Sequence, residues 1–159
     1  MRGLVVHAER VAALLKDRKE TVAVAESAAG GLITAALLAV PGASAYCLGG
    51  TVLYTRSAWH ALRDFREELL EGARSATEAN ALIRARLVRE RFAADWGIGE
   101  TGAAGPAGNR YGDPAGHACL AVSGRSERVR TVKTGTNERI ANMRAFAAAA
   151  LQLFAEAVA

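Results

Sequence analysis

The chain has few aromatics, few prolines and only two cysteines. Tryptophan, tyrosine and phenylalanine make up 6% of its 159 residues, so alanine and the aliphatics supply most of an apolar share of 51%. With three prolines and a charged fraction of 23% spread along the chain, a fibrous or intrinsically disordered protein is excluded. No apolar stretch reaches the roughly 20 residues of a membrane span. The longest, near 28–40 and 145–159, fall short, and no membrane partner is expected. Cys47 and Cys119 lie in apolar stretches without Cys-x-x-Cys spacing, the pattern of buried reduced thiols. His7, His60 and His117 share no metal-ligand spacing, so no metal site is expected. The N-terminal segment enters an amphipathic pattern with Glu9, Arg10 and Lys16 and lacks a signal-peptide core, which makes cytoplasmic residence the default expectation.

What the chain does have fits one domain over residues 1–159 with a genuine core. Lysine and arginine (20) exceed aspartate and glutamate (16), for a net charge of +4. That excess is too small to specify nucleic acid, and neither an aromatic stacking platform nor a recognition motif accompanies it. The densest basic stretch, Arg63 to Arg91, interleaves seven arginines with Asp64, Glu67, Glu68, Glu71, Glu78 and Glu90, as a solvated helical surface does.

Periodicity predicts a helix over 4–18, a short buried strand over 21–25, a small-residue turn, and a helix over 32–39 stopped by Pro41-Gly42. A second strand follows over 45–54, where Gly49-Gly50 suggests a bulge or a close backbone approach. Helical patterns cover 57–65, 66–71 and 75–94. The dense glycine and proline content from Gly102 to Pro114 predicts a loop. Two strands over 116–122 and 128–133, joined by a polar turn, form an antiparallel pair. A final helix over 137–158 aligns Ile140, Met143, Phe146, Ala147, Ala150, Leu151 and Phe154 on one face. Alternating strands and helices predict an α/β fold with helices on both faces of a mostly parallel sheet.

Glycine-bearing turns after strands are where such folds place ligands. In Glu26-Ser27-Ala28-Ala29-Gly30-Gly31, Ser27 is either a nucleophile or the cap of the next helix. The N–H groups that open that helix are candidates to hold a phosphate or a developing oxyanion. The turn is neither a nucleophile elbow nor a P-loop, since Ala25 and Ala29 occupy the elbow's glycine positions and no Gly-Lys-Ser/Thr follows. Gly102, Gly105 and Gly108 form either a cradle of backbone amides or a crossing loop. Thr51 to Thr55 end a strand with two hydroxyls and Tyr54.

Taken together, residues 21–31, Val40-Pro41-Gly42-Ala43-Ser44, Leu48-Gly49-Gly50-Thr51-Val52-Leu53-Tyr54 and Gly102-Ala103-Ala104-Gly105-Pro106-Ala107-Gly108 resemble, in order and spacing, the C-terminal domain of the CinA (competence/damage-inducible protein A) family. The resemblance spans nearly the whole chain and implies a stand-alone version without the family's molybdopterin-binding-like N-terminal domain. It implies a three-layer α/β/α sandwich with a mixed, mostly parallel sheet. It also implies a nicotinamide mononucleotide amidohydrolase that yields nicotinate mononucleotide and ammonia. No cofactor is implied; the partner is a nucleotide-like small molecule, and a homo-oligomer is compatible with the pattern.

By the same resemblance Ser27 and Tyr54 are the catalytic candidates. Glu26, Gly30, Gly31, Thr55, Trp59, Gly102, Gly105 and Arg139 are the substrate-binding candidates, with Arg144 an alternative to Arg139 for the phosphate-facing arginine. In active members the turn reads Glu-Ser-Cys-Thr-Gly-Gly, and a lysine in Tyr-Ser-Asn-x-x-Lys is the proposed base. Here Ala28-Ala29 replace Cys-Thr, and Trp59 stands at the lysine position. An indole donates a hydrogen bond but takes no proton, and general-base assistance is worth roughly 10²–10⁴-fold. His60 is the nearest substitute in sequence, yet one residue turns about 100° around a helix and away from the lysine's direction. Two alternatives follow: an amidohydrolase acting through Ser27, or a catalytically silent relative that is either structural or binds a nucleotide with Trp59 stacked on its base.

Overall fold

The structure is a computed structural model that describes residues 1–62 and 66–159. In chain order the elements are α1 (Arg2–Arg18), β1 (Val22–Glu26), α2 (Leu32–Leu38), β2 (Cys47–Val52), α3 (Arg56–Ala61), α4 (Glu78–Phe92), β3 (Trp96–Ala103), β4 (His117–Ser123), β5 (Glu127–Lys133) and α5 (Arg139–Val158). Short 3₁₀ turns at Ala43–Ala45 and Glu67–Leu70 fill two of the connections. The end of the helix expected over 57–65 falls at 63–65, outside the described residues. Among the described residues no helix is long and apolar enough to cross a membrane.

The sheet order is β2-β1-β3-β4-β5. β1 pairs in parallel with both β2 and β3, while β4 runs antiparallel to β3 and to β5, so four strands point one way and β4 alone opposes them. Side chains alternate across the sheet with period two. Val22, Val24, Ile98, Leu120 and Val122 face a core shared with α1, α2 and α5. Ala23 and Ala25 face the opposite side, under Trp59, Leu70 and Val88. This is an open three-layer α/β/α arrangement around a mixed sheet.

One expected boundary moves, and close backbone packing explains it. The loop expected from Gly102 begins two residues later, because Gly102 and Ala103 continue β3, paired with Ala118 and His117. Glycine in this strand marks close packing. A Cβ on Gly97 or Gly99 would sit 2.0 Å from the carbonyl oxygen of Ala85 or Ala81, so α4 lies directly on the β3 backbone. The bulge expected in the second strand is present: Val22 pairs with Cys47 and Ala23 with Gly49, leaving Leu48 as the extra residue. Gly50 supplies the close approach, since a Cβ there would lie 2.2 Å from Thr34 Oγ1.

Candidate active site

Parallel pairing brings the carboxyl ends of β1, β2 and β3 to one edge of the sheet, where α/β folds bind ligands. The segment after β1 turns through Gly30 and Gly31, both at positive φ, into α2. Its geometry is set by Glu26, which is fully buried. Glu26 Oε2 accepts hydrogen bonds from the Gly31 and Ile33 N–H groups at 2.9 and 3.0 Å. Oε1 accepts from Thr34 N–H at 2.7 Å and from the Thr34 hydroxyl at 2.5 Å. Glu26 therefore does the work of an N-cap, and Ser27 is not the cap. The N–H groups expected to cradle a phosphate are occupied by this carboxylate.

A second carboxylate meets the same turn from β3. Glu100 Oε2 accepts from the N–H groups of Ser27 at 2.8 Å and Ala29 at 2.9 Å, while Oε1 is buried without a hydrogen-bond partner. Burial pushes the Glu100 carboxyl up to about 7, against the pull of those two N–H groups and of Arg84. Burial also raises Glu26, with the Thr34, Ile33 and Gly31 donors pulling back.

Ser27 itself is 7% exposed. Across the ladder from it, Leu53 donates its N–H to the Glu26 carbonyl at 2.8 Å, and the Leu53 carbonyl accepts from Arg84 at 3.2 Å. Arg84 is not part of a solvated helical surface. It is 3% exposed, donates Nε–H to Asn80 Oδ1 at 2.7 Å, and stacks its guanidinium 4.9 Å from the centre of the Trp59 ring. Burial lowers its pKa to about 10. Trp59 is buried, whereas His60, one residue on, is exposed on another side of α3, as the helical turn requires. A cleft of about 300 Å³ opens here, lined by Tyr54, Thr55 and Trp59 together with Arg56, Arg84 and Arg110. Thr55 also caps α3, its hydroxyl accepting from Ala58 N–H at 3.2 Å.

Arg139, at the start of α5, joins two of the sequence blocks. It donates to the Gly105 carbonyl at 2.5 Å and to the Tyr54 hydroxyl at 2.9 Å. Arg144 instead lines a separate hollow against Met1 to Leu4. Asn142 fixes the same loop, donating to the carbonyls of Ala104 and Thr136 at 2.8 and 2.9 Å. The structure thus gathers Ser27, Glu26, Tyr54, Thr55, Trp59, Gly105 and Arg139 at one edge. Gly102 lies inside β3, where a Cβ would meet the Ala118 Cβ at 2.7 Å. Reading the sequence missed Glu100, Arg84 and Arg110. The signal for Glu100 was present, since it is the one charged residue in Trp96–Ala103.

The profile of the CinA C-terminal domain matches residues 5–158. A CinA-like protein of Synechococcus sp. (strain CC9902) is 41% identical over 112 residues, 70% of this chain and 27% of that protein. A CinA-like protein of Chlorobium limicola is 36% identical over 149 residues, 91% of this chain and 35% of that protein. The chain spans about a quarter to a third of the length of these curated relatives. Among solved structures, a competence-damaged protein (CinA) superfamily protein from Klebsiella pneumoniae superposes with a TM-score of 0.88 at 26% identity, covering 98% of this chain and 97% of that one. A competence/damage-inducible protein from Agrobacterium tumefaciens gives a TM-score of 0.86 at 28% identity, covering 98% and 94%.

Proposed function

This chain belongs to the CinA C-terminal-domain family, and from that membership we propose that it hydrolyses the carboxamide of a nicotinamide mononucleotide-type substrate, with Ser27 as nucleophile. One observation carries this reading: Ser27 sits on a turn pinned by two buried carboxylates, one strand away from a cleft lined by three arginines. The turn supplies a fixed nucleophile. The arginines supply the anion site, because the N–H groups of the turn are already taken by Glu26 and Glu100. Arginine suits a phosphate through its planar fork of donors. Purified protein should release ammonia and nicotinate mononucleotide from nicotinamide mononucleotide, and Ser27→Ala should release none. Equal traces from both would remove the reading.

Trp59 favours a second reading, binding without turnover. Its buried ring, with Arg84 over one face, offers the cleft an aromatic wall and no proton acceptor. Calorimetric titration with nicotinamide mononucleotide separates the two, since binding without ammonia release supports only the second.

A further inference from the structure

Twice in this chain a carboxylate oxygen takes both the backbone N–H and the side-chain O–H of one hydroxyl residue. Thr21 donates both to Asp95 Oδ2, at 2.7 and 2.9 Å. Thr34 donates both to Glu26 Oε1, at 2.7 and 2.5 Å. Ser27 makes the first half of the same arrangement with Glu100, its N–H lying 2.8 Å from Oε2. The second half is not made: Oε2 takes the Ala29 N–H in place of the Ser27 hydroxyl, and the free acceptor is the other oxygen. Glu100 Oε1 is buried without a partner, and no hydrogen bond among the described residues holds the Ser27 hydroxyl. Rotation about the serine Cα–Cβ bond, among its staggered wells, is the torsion that sets where Oγ stands relative to this carboxylate.

Resting on the amidohydrolase reading above, we infer that Glu100 is the general base for Ser27, standing in for the lysine that Trp59 replaces. Glu26, the other carboxylate of the turn, is unsuited because four donors already saturate its two oxygens. Burial raises Glu100, the Ala29 and Ser27 N–H groups and Arg84 from α4 pull it back, and Glu26 from β1 adds a small push upward, leaving a base that titrates near neutrality, as proton transfer at ordinary pH requires. The other packed elements add no titrating neighbour: Glu100 pairs with Leu120 on β4, α2 carries no charged residue, and Arg139 of α5 is held by Gly105 and Tyr54.

In the first step the Ser27 proton passes to the Glu100 carboxylate as Oγ bonds to the carboxamide carbon, and the carbonyl π pair moves onto oxygen. Collapse re-forms the carbonyl and breaks the carbon–nitrogen bond, while the nitrogen takes the proton from Glu100 and leaves as ammonia. Water then attacks the acyl-serine, giving a proton to Glu100. The second collapse releases the carboxylic acid, and the proton returns to Ser27 Oγ.

The test reads nucleophile reactivity directly, with an alkyl fluorophosphonate whose phosphorus bonds to Ser27 Oγ as fluoride leaves. Mass spectrometry follows adduct formation between about pH 5 and 9. The expected result is a wild-type rate that rises as pH passes through about 7 and falls by about 10²-fold or more in Glu100→Gln, with no adduct in Ser27→Ala. A Glu100→Gln protein that labels like wild type overturns the base, as does a wild-type chain that does not label. Should Glu100→Gln fail to fold, the wild-type profile decides, because a rate flat across that range overturns the proposal. Ammonia release, measured in parallel, separates the two ideas. Labelling that depends on Glu100 without ammonia release removes the amidohydrolase reading and keeps the base. Ammonia release that survives Glu100→Gln removes the base and keeps the amidohydrolase.

Discussion

Glu26 and Glu100 stand on adjacent strands at the same edge of the sheet, both fully buried and both holding the one turn, yet their surroundings differ by a single unfilled oxygen. Glu26 receives four donors across two oxygens and locks the start of α2. Glu100 receives two, both on one oxygen. A carboxylate with every lone pair engaged is architecture, and one left half-engaged retains the capacity to take a proton. An orphaned acceptor of this kind is uncommon in a buried site.

The comparison can be broken most forcefully at Glu26. Glu26→Ala leaves three N–H groups and a hydroxyl without their acceptor, and unfolding in urea should show a loss of about 4 kcal/mol. A loss below about 1 kcal/mol would place the two carboxylates in the same class.

A smaller and opposite-signed effect is expected at Glu100. Its folded pKa is raised above the ordinary 4.5 to about 7, so the folded state binds the proton more tightly than the unfolded one. The stability tied to that proton is fully present below 4.5 and is lost as pH rises through about 7. Glu100→Gln removes the titration while its amide carbonyl still accepts from Ser27 and Ala29. The variant should therefore gain on wild type by about 3 kcal/mol between acidic and mildly alkaline urea melts. A constant difference would show that Glu100 stays ionised throughout.

Gly50→Ala tests the Glu26 side from across the sheet. The new methyl would displace the Thr34 hydroxyl from Glu26, at about 2 kcal/mol in the same melts. Arg139→Ala serves as the control. It breaks the bridge from Tyr54 to Gly105 without touching either carboxylate, so it should cost about 1 kcal/mol and leave the pH behaviour of the Glu100 pair unchanged.

Most of this architecture could be read from the sequence because apolar spacing survives single-sequence inspection. The amphipathic stripe of α5, the short apolar run of β1 and the glycine pair of β2 each announced their element. β3 was obscured, because its glycines read as breakers until α4 is laid against Gly97 and Gly99 and β4 against Gly102. Arg84 was hidden in a stretch whose alternating charges matched a solvated face, and nothing local distinguishes it from Arg86, which bonds Glu127 at the surface. Ser27 and Tyr54 were legible from their places on turns after strands, and Trp59 through the family resemblance. Glu100 was not, since its partners Ser27 and Ala29 lie more than 70 residues away in the chain.

The bulge at Leu48 has a consequence beyond the site. β2 and β5 are the two free edges of an open sheet, and an uncovered, regular edge is a template on which another chain can add a strand. On β2 the extra residue and the paired glycines break the regular spacing of free N–H and carbonyl groups. On β5, Arg128 and Lys133 set positive charge along the strand, while Arg130 pairs with Glu156 at 2.7 Å. Each margin thus carries a different device that disfavours a regular sixth strand, irregular backbone on one side and exposed positive charge on the other.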